Sequence, residues 1–354
     1  MATRLSLLVV ALVASLGLAE FVLRSLPSTA LGYAVRDRVF VPPAEFERRQ
    51  VRNSLGTYDR EPAGADPERH RVLLLGDSYV ESISMARGRS LPDRLVAHLD
   101  GFRPGAYDVF SLSKSGWGQR EELRALQRFG PRLAPDRVVL LFTSRNDPLN
   151  NARDLPGLDE NLRLRGEMLN EGRPWSRSFR YDQAAALWFP GSALNQLISH
   201  RLTVSRLRPL DPVPLQFLAF SPERQAMWDA TWEETAELLR ALRSVSEELG
   251  ATFEVVSASS PEGVLPEDQG AERLRAAHPS FDSLSFDTDL PDRRLSQICA
   301  ELEIPFFTLQ PSLRVREVQV GPLHWRYDGH WNEVGNDEAA ALIARRIVGS
   351  ENER

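Results

Sequence analysis

The pattern of apolar and polar positions changes character twice along the chain. Leu5 to Ala19 is an uncharged, mostly apolar run of 15 residues behind Arg4. From Ser25 to about Glu68 the pattern is irregular, with dense charge and the breakers Pro42, Pro43, Pro62, Gly64 and Pro67. After that, short continuous apolar segments alternate with stretches of helical spacing. Val72-Leu73-Leu74-Leu75, closed by Gly76, predicts a strand buried on both faces. Tyr107–Leu112, Val138–Thr143, Thr252–Ala258 and Ile304–Leu309 predict four more. Helices are expected at Leu91–Leu99, at Glu121–Phe129 with a stop at Gly130-Pro131, at Leu295–Glu303 and at Glu333–Val348. A long helix is expected from the Ser221-Pro222-Glu223 start to Leu249, before Gly250.

Strands of this kind alternating with helices predict an α/β fold: three α/β/α layers around a five-stranded, mainly parallel sheet. Residues 148 to about 221 break the alternation with prolines, arginines and aromatics, and read as a partly helical insertion rather than a domain. The expected organisation is a signal peptide or N-terminal anchor at 1–24, a stalk or strap at 25–68, and one domain at 69–354 carrying the insertion at about 148–221. A third irregular stretch is expected at 259 to about 290.

The N-terminal run has the marks of an export signal: a basic start, a short apolar core, and small residues at Gly17 and Ala19. Continuing to Leu23 lengthens it to 19 residues, enough for an uncleaved anchor, with Glu20 near the end. Either reading places the rest of the chain outside the cytoplasm, periplasmic or secreted. The net charge of -6 and pI near 5.7 exclude the basic footprint of a nucleic-acid binder. Of the 43 basic residues only Lys114 is lysine, and the arginines are scattered. The single cysteine, Cys299, excludes an intrachain disulfide and a cysteine metal cluster.

In open parallel sheets ligands bind beyond the carboxyl ends of the strands, so the residues after each strand are where chemistry is expected. After the first come Gly76-Asp77-Ser78, a sharp exit and a serine that needs a base to become a nucleophile. After the second come Ser113-Lys114-Ser115-Gly116-Trp117-Gly118, whose glycines let backbone N–H groups approach a substrate. After the third come Ser144-Arg145-Asn146-Asp147, with an amide able to donate to an oxyanion. Before the last helix stand Tyr327-Asp328-Gly329-His330-Trp331-Asn332, where a carboxylate lies two residues from a histidine. Of the six histidines only His330 sits in a loop beside an acid, and His324 is its one rival. No His-x-x-x-His pair and no cysteine cluster is present, which disfavours a metal site, and no cofactor is expected. Each segment alone has a plain reading as a cap or a turn.

Taken in order, the four segments resemble the blocks of the SGNH (GDSL-type) hydrolase superfamily: Gly76-Asp77-Ser78, Gly116, Asn146-Asp147, and Asp328 with His330. The resemblance covers roughly residues 70 to 145 and 220 to 348. It implies a flavodoxin-like sheet and an ester-cleaving serine enzyme. Ser78 becomes the acyl nucleophile, His330 the general base and acid, and Asp328 the residue that orients the imidazole. Ser78 N–H, Gly116 N–H and the Asn146 amide become the oxyanion hole, with Asp77 and Asp147 in support. The chain departs from the family pattern at Ser144, where glycine is usual, and at Asp328-Gly329-His330, one residue shorter than the usual Asp-x-x-His. The shorter spacing is similar to that of SGNH-like enzymes that acetylate exopolysaccharides such as alginate.

Three activities follow as expectations. The first is a serine esterase acting on ester-linked acyl groups, such as O-acetyl on an extracytoplasmic polysaccharide. The second is a polysaccharide O-acyltransferase using the same residues. The third is a non-catalytic glycan- or partner-binding module on the same fold. The expected partners are an acylated small molecule or polysaccharide, and a membrane if the N-terminal segment stays attached. Trp175, Trp188, Phe189 and Phe217 are candidates for a lid or a sugar-stacking wall.

Overall fold

The computed structural model describes residues 2–25, 52–62, 64, 66–86, 88–152, 194, 215–277, 281–325 and 329–352. The chain divides into two compact units, Met1–Glu47 with Arg165–Pro212, and Arg48–Leu164 with Val213–Arg354. In the first, the apolar run forms helix α1 (Ala2–Ser25), and Leu7, Val10, Val13 and Phe21 lie exposed along it. The Glu20 carboxylate accepts a hydrogen bond from Leu194 N–H at 2.9 Å. Among the described residues no helix is long and apolar enough to cross a membrane.

The second unit is built on five parallel strands: β1 (His70–Gly76), β2 (Tyr107–Ser113), β3 (Arg137–Thr143), β4 (Thr252–Ala258) and β5 (Phe306–Thr308), in the order β2-β1-β3-β4-β5. The continuous apolar runs are explained by burial on both sides. Leu73 and Leu75 of β1 pack on one layer with Phe110, Leu140 and Val255, while Val72 and Leu74 pack on the other with Val109, Val139 and Val256. The first layer is closed by helices α4 (Gln119–Leu133), α6 (Asp229–Glu248) and α8 (Leu290–Glu301). The second is closed by α3 (Leu91–Phe102), α9 (Gln310–Val320) and α10 (Glu333–Asn352). Two shorter helices follow strands, α2 (Ser78–Glu81) after β1 and α5 (Asp147–Asn151) after β3, and α7 (Glu267–Arg275) lies after β4.

The strand order reverses at β1 and β3, and the register aligns Gly76 with Ser113 on one side and Leu141 on the other. A crevice at the carboxyl ends of β1 and β3 is the position where such sheets bind ligands. Part of the segment expected as a stalk is pinned along the sheet edge. Arg60 donates to Val109 O at 2.7 Å and to Asp108 at 2.8 Å, and Ser111 donates to Asp59 at 2.9 Å.

Several expectations change. Helix α4 does not stop at Gly130-Pro131 but runs through both to Leu133. A side chain at Gly130 would come within 2.6 Å of Leu249 Cδ1, so the glycine is a packing residue where the end of α6 crosses. The helix expected from Ser221 begins as a 3₁₀ segment, Pro222–Trp228, before α6. The irregular stretch at 259–290 contains α7, and α9 follows β5 with no forecast from the pattern. Phe217 is 9% exposed and belongs to the core cluster, not to a lid; Trp175, Trp188 and Phe189 lie outside the described residues.

Candidate active site

Gly76 closes β1 where no side chain fits: a Cβ there would lie 2.4 Å from Val80 Cγ2 and 3.3 Å from Leu141 O. The chain therefore turns tightly against its neighbours, and Asp77 caps α2 by accepting from Tyr79 N–H at 3.0 Å. That turn leaves Ser78 half-buried at the strand end.

His330 meets it from the other end of the sequence. Its Nε2 lies 2.7 Å from Ser78 Oγ, within the range of a proton-transferring pair. The histidine is held by a small hairpin. His324 bridges Trp331, Trp325 N–H donates to His330 O at 2.8 Å, and Asn332 N–H donates to Leu323 O at 2.9 Å. Trp331, buried, stands edge-on to Tyr79 with ring centres 4.9 Å apart, and its indole N–H reaches Ser259 Oγ at 3.3 Å. Asp328 lies outside the described residues. His324, the rival base, is buried beside the Tyr79 ring at 6.4 Å. Burial pushes its pKa down to about 3, with Arg273, His330 and Arg145 adding to the fall against the Ser259 carbonyl, so its ring is neutral near pH 7.

Gly116 adopts φ +77°, a conformation glycine takes without strain. The loop that carries it is clamped on both sides. Buried Glu81, three residues after Ser78, accepts from Ser115 N–H at 2.7 Å and from the Ser115 hydroxyl. Asn150 donates to Trp117 O at 2.8 Å, and Asn151 Oδ1 accepts from Gln119 N–H at 3.0 Å. Among the described residues neither Ser78 N–H nor Gly116 N–H has a hydrogen-bond acceptor.

Asn146 completes the group. Its Nδ2 donates to Asp77 Oδ2 at 3.0 Å, which spends one amide hydrogen, and the other has no acceptor among the described residues. The other Asp77 oxygen accepts from Thr143 Oγ1 at 3.0 Å. Asp147 sits beneath: fully buried, it accepts from Thr143 N–H at 2.9 Å and from Gln119 Nε2 at 2.8 Å. Gln119 Nε2 also reaches buried Glu122 at 3.2 Å. Desolvation, followed by the charge of Asp77, holds both Asp147 and Glu122 well above the usual carboxylate range.

The departure at Ser144 has a physical reason. Its hydroxyl lies 2.9 Å from Ser257 Oγ and donates to Asp292, a buried carboxyl that also receives Ser257 and Thr308. A glycine there would leave this network one donor short.

Ser78, Gly116 and Asn146 thus follow the carboxyl ends of β1, β2 and β3, and His330 reaches Ser78 from the hairpin before α10, with Asn146 bonded to Asp77. Sequence reading missed Glu81, Gln119 and Glu122. The last two had a visible signal: they are polar residues at i and i+3 on the face of α4 that also buries Ala125 and Leu126. Among the described residues no group of three or more His, Cys, Asp or Glu side chains could hold a metal ion.

No family model and no curated protein matches the chain. Solved structures do. The fold is similar to a psychrotrophic esterase, EstA, from Pseudoalteromonas sp., at 10% identity and TM-score 0.40, over 80% of this chain and 100% of that one. It is similar to a lipase/acylhydrolase from Enterococcus faecalis at 13% identity and TM-score 0.42, over 79% of this chain and 96% of that one. It is similar to an acetyl xylan esterase, AlAXEase, at 9% identity and TM-score 0.42, over 79% and 98% of the two chains.

Proposed function

We propose that this chain is a serine-dependent esterase that cleaves ester-linked acyl groups through an acyl-serine intermediate. The observation that carries the reading is the 2.7 Å contact between Ser78 Oγ and His330 Nε2 at the strand-end crevice. In the proposed reaction His330 Nε2 takes the Ser78 proton as Oγ attacks the ester carbonyl. The developing oxyanion is held by Ser78 N–H, Gly116 N–H and the spare amide hydrogen of Asn146. Collapse expels the alcohol, which receives the proton from His330. Water then attacks the acyl group with His330 as base again, and the carboxylic acid leaves. Asp328 is proposed to orient the imidazole from its place two residues before it.

The acyl group is proposed to be acetyl on a polysaccharide outside the cytoplasm. Support comes from the basic-then-apolar segment at residues 5–23, read as an export signal, and from the short Asp-x-His spacing. The same acyl-serine serves transfer when a sugar hydroxyl outruns water, and product analysis with an added acceptor separates the two.

The test is hydrolysis of 4-nitrophenyl acetate by the wild type, Ser78→Ala, His330→Ala and His324→Ala. The reading expects losses of about 10³-fold or more for the first two variants and retained chemistry in the third. An inert wild type favours the binding-module alternative, and activity surviving in Ser78→Ala overturns the assignment.

A further inference from the structure

Arg145 stands between Ser144 and Asn146, and neither the fold nor the proposed ester cleavage uses it. Its neighbours' side chains are committed, Ser144 to the Asp292 network and Asn146 to Asp77. The Arg145 guanidinium instead reaches the hairpin that holds His330. A Cβ built on Gly329, the residue before the base, would lie 3.3 Å from Arg145 Nη1. The cation rests over the ring of Phe217, 4.8 Å from its centre, and its side chain is 24% exposed.

Its donors are unspent. Among the described residues Arg145 makes no hydrogen bond. Its one ionic neighbour is Glu262, at 3.9 Å, beyond hydrogen-bond distance. Glu262 is itself buried and lies nearer to Arg273, at 3.4 Å, so one carboxylate faces two guanidinium groups. Phe217 and Glu262 therefore flank Arg145 without consuming its N–H groups. A partly desolvated guanidinium fork that makes no hydrogen bond among the described residues is matched in geometry by a carboxylate, which accepts two parallel N–H bonds.

We infer that Arg145 recognises a carboxylate on the substrate, so that the preferred ester carries a carboxylate close to its scissile carbonyl. This rests on the esterase reading for the position of that carbonyl, beside Ser78 and Asn146. The carboxylate belongs either to the acyl group or to the alcohol, and both place an anion beside the reacting centre. Gly329 is suited to the contact, since a side chain there would crowd the guanidinium.

The experiment uses two matched pairs of esters on the full chain. One pair, 4-nitrophenyl hemiglutarate and 4-nitrophenyl pentanoate, carries or lacks a carboxylate on the acyl side. The other, 3-acetoxybenzoate and its methyl ester, carries or lacks it on the alcohol side. In one pair the wild type is expected to favour the charged ester in kcat/KM. Arg145→Met is expected to remove that preference by about 10- to 100-fold, with the neutral partner changed by no more than about two-fold and Arg145→Lys intermediate. The pair that responds identifies the side. No preference in either pair, or an equal fall for charged and neutral esters, overturns the inference. A second readout does not need turnover: calorimetric binding of glutarate, with butyrate as control, and of 3-hydroxybenzoate, with its methyl ester as control, to Ser78→Ala. Binding of either acid that is lost when Arg145→Met is added supports the carboxylate site even if no ester is cleaved. Failure of both acids to bind contradicts it even if neutral esters are cleaved. Thermal melting of each variant separates lost recognition from lost folding, and Arg145→Gln carries the comparison if Arg145→Met does not fold.

Discussion

The Tyr79 hydroxyl donates to Gly329 O at 3.0 Å, so the residue after the proposed nucleophile is bonded to the residue before the proposed base. The two segments are 250 positions apart in sequence. Tyr79 is buried, packs its ring 5.1 Å from that of His330 and stands edge-on to Trp331. One side chain thereby ties together the two segments between which the proposed proton transfer takes place.

Tyr79→Phe keeps the ring and removes that bond. It leaves a buried carbonyl without its donor, at a cost of about 1–3 kcal/mol. The expected outcome is a fall in kcat of roughly ten-fold or more with KM little changed, because a slight misplacement of reacting groups is costly. Steady-state kinetics together with thermal melting check it. An unchanged kcat would show that the hairpin is held by Trp331 and its backbone bonds alone.

Asn146 is bonded to Asp77 while retaining one amide hydrogen. Asn146→Ala is expected to lower kcat by about 10²–10³-fold, as for the loss of one oxyanion donor. Asn146→Asp should do no better, since it brings a carboxyl against Asp77 in place of a donor. Affinity for a phosphonate that mimics the tetrahedral oxyanion is expected to fall with kcat, while KM holds.

Stability should respond to pH with two opposite slopes. The folded state depresses the His324 pKa from an ordinary 6.5 to about 3. The unfolded chain therefore binds a proton that the folded one refuses in that window. Stability is present above about pH 6.5 and is lost towards pH 3, by about 1.4 kcal/mol per unit. Asp147 and Glu122 are raised, so the folded state keeps protons that the unfolded chain releases. Their contribution is full in acid and is lost as pH rises through their folded values. His324→Gln is expected to flatten the acid side of the curve of Tm against pH, and Glu122→Gln the alkaline side. Swapped effects would contradict the assignments.

What could be read from the sequence, and what could not, has physical causes. Strands buried on both faces leave unbroken apolar runs, so β1 through β4 stand out, and the candidates Ser78, Gly116 and Asn146 fall shortly after the first three. Helix α9 leaves no such trace: of its length only Gln310 and Leu313 are buried, and Val315 and Val318 face solvent. Helix α7 buries only Gly270, Ala271 and Leu274. Gly130-Pro131 looked like a stop because local preference ends helices there. The close approach of Leu249 gives that glycine another purpose. Arg145 was hidden among scattered arginines, and only its place beside Gly329, with its donors unspent, sets it apart.

The central claim is that Ser78 is a nucleophile activated by His330. The most direct measurement is intact and peptide mass spectrometry after exposure to a 4-nitrophenyl alkylphosphonate, a reagent that phosphonylates an activated serine. The account predicts one adduct per chain, on the peptide carrying Ser78, absent in Ser78→Ala and slowed by orders of magnitude in His330→Ala. No adduct on the wild type, an adduct on another serine, or labelling indifferent to His330 would contradict it.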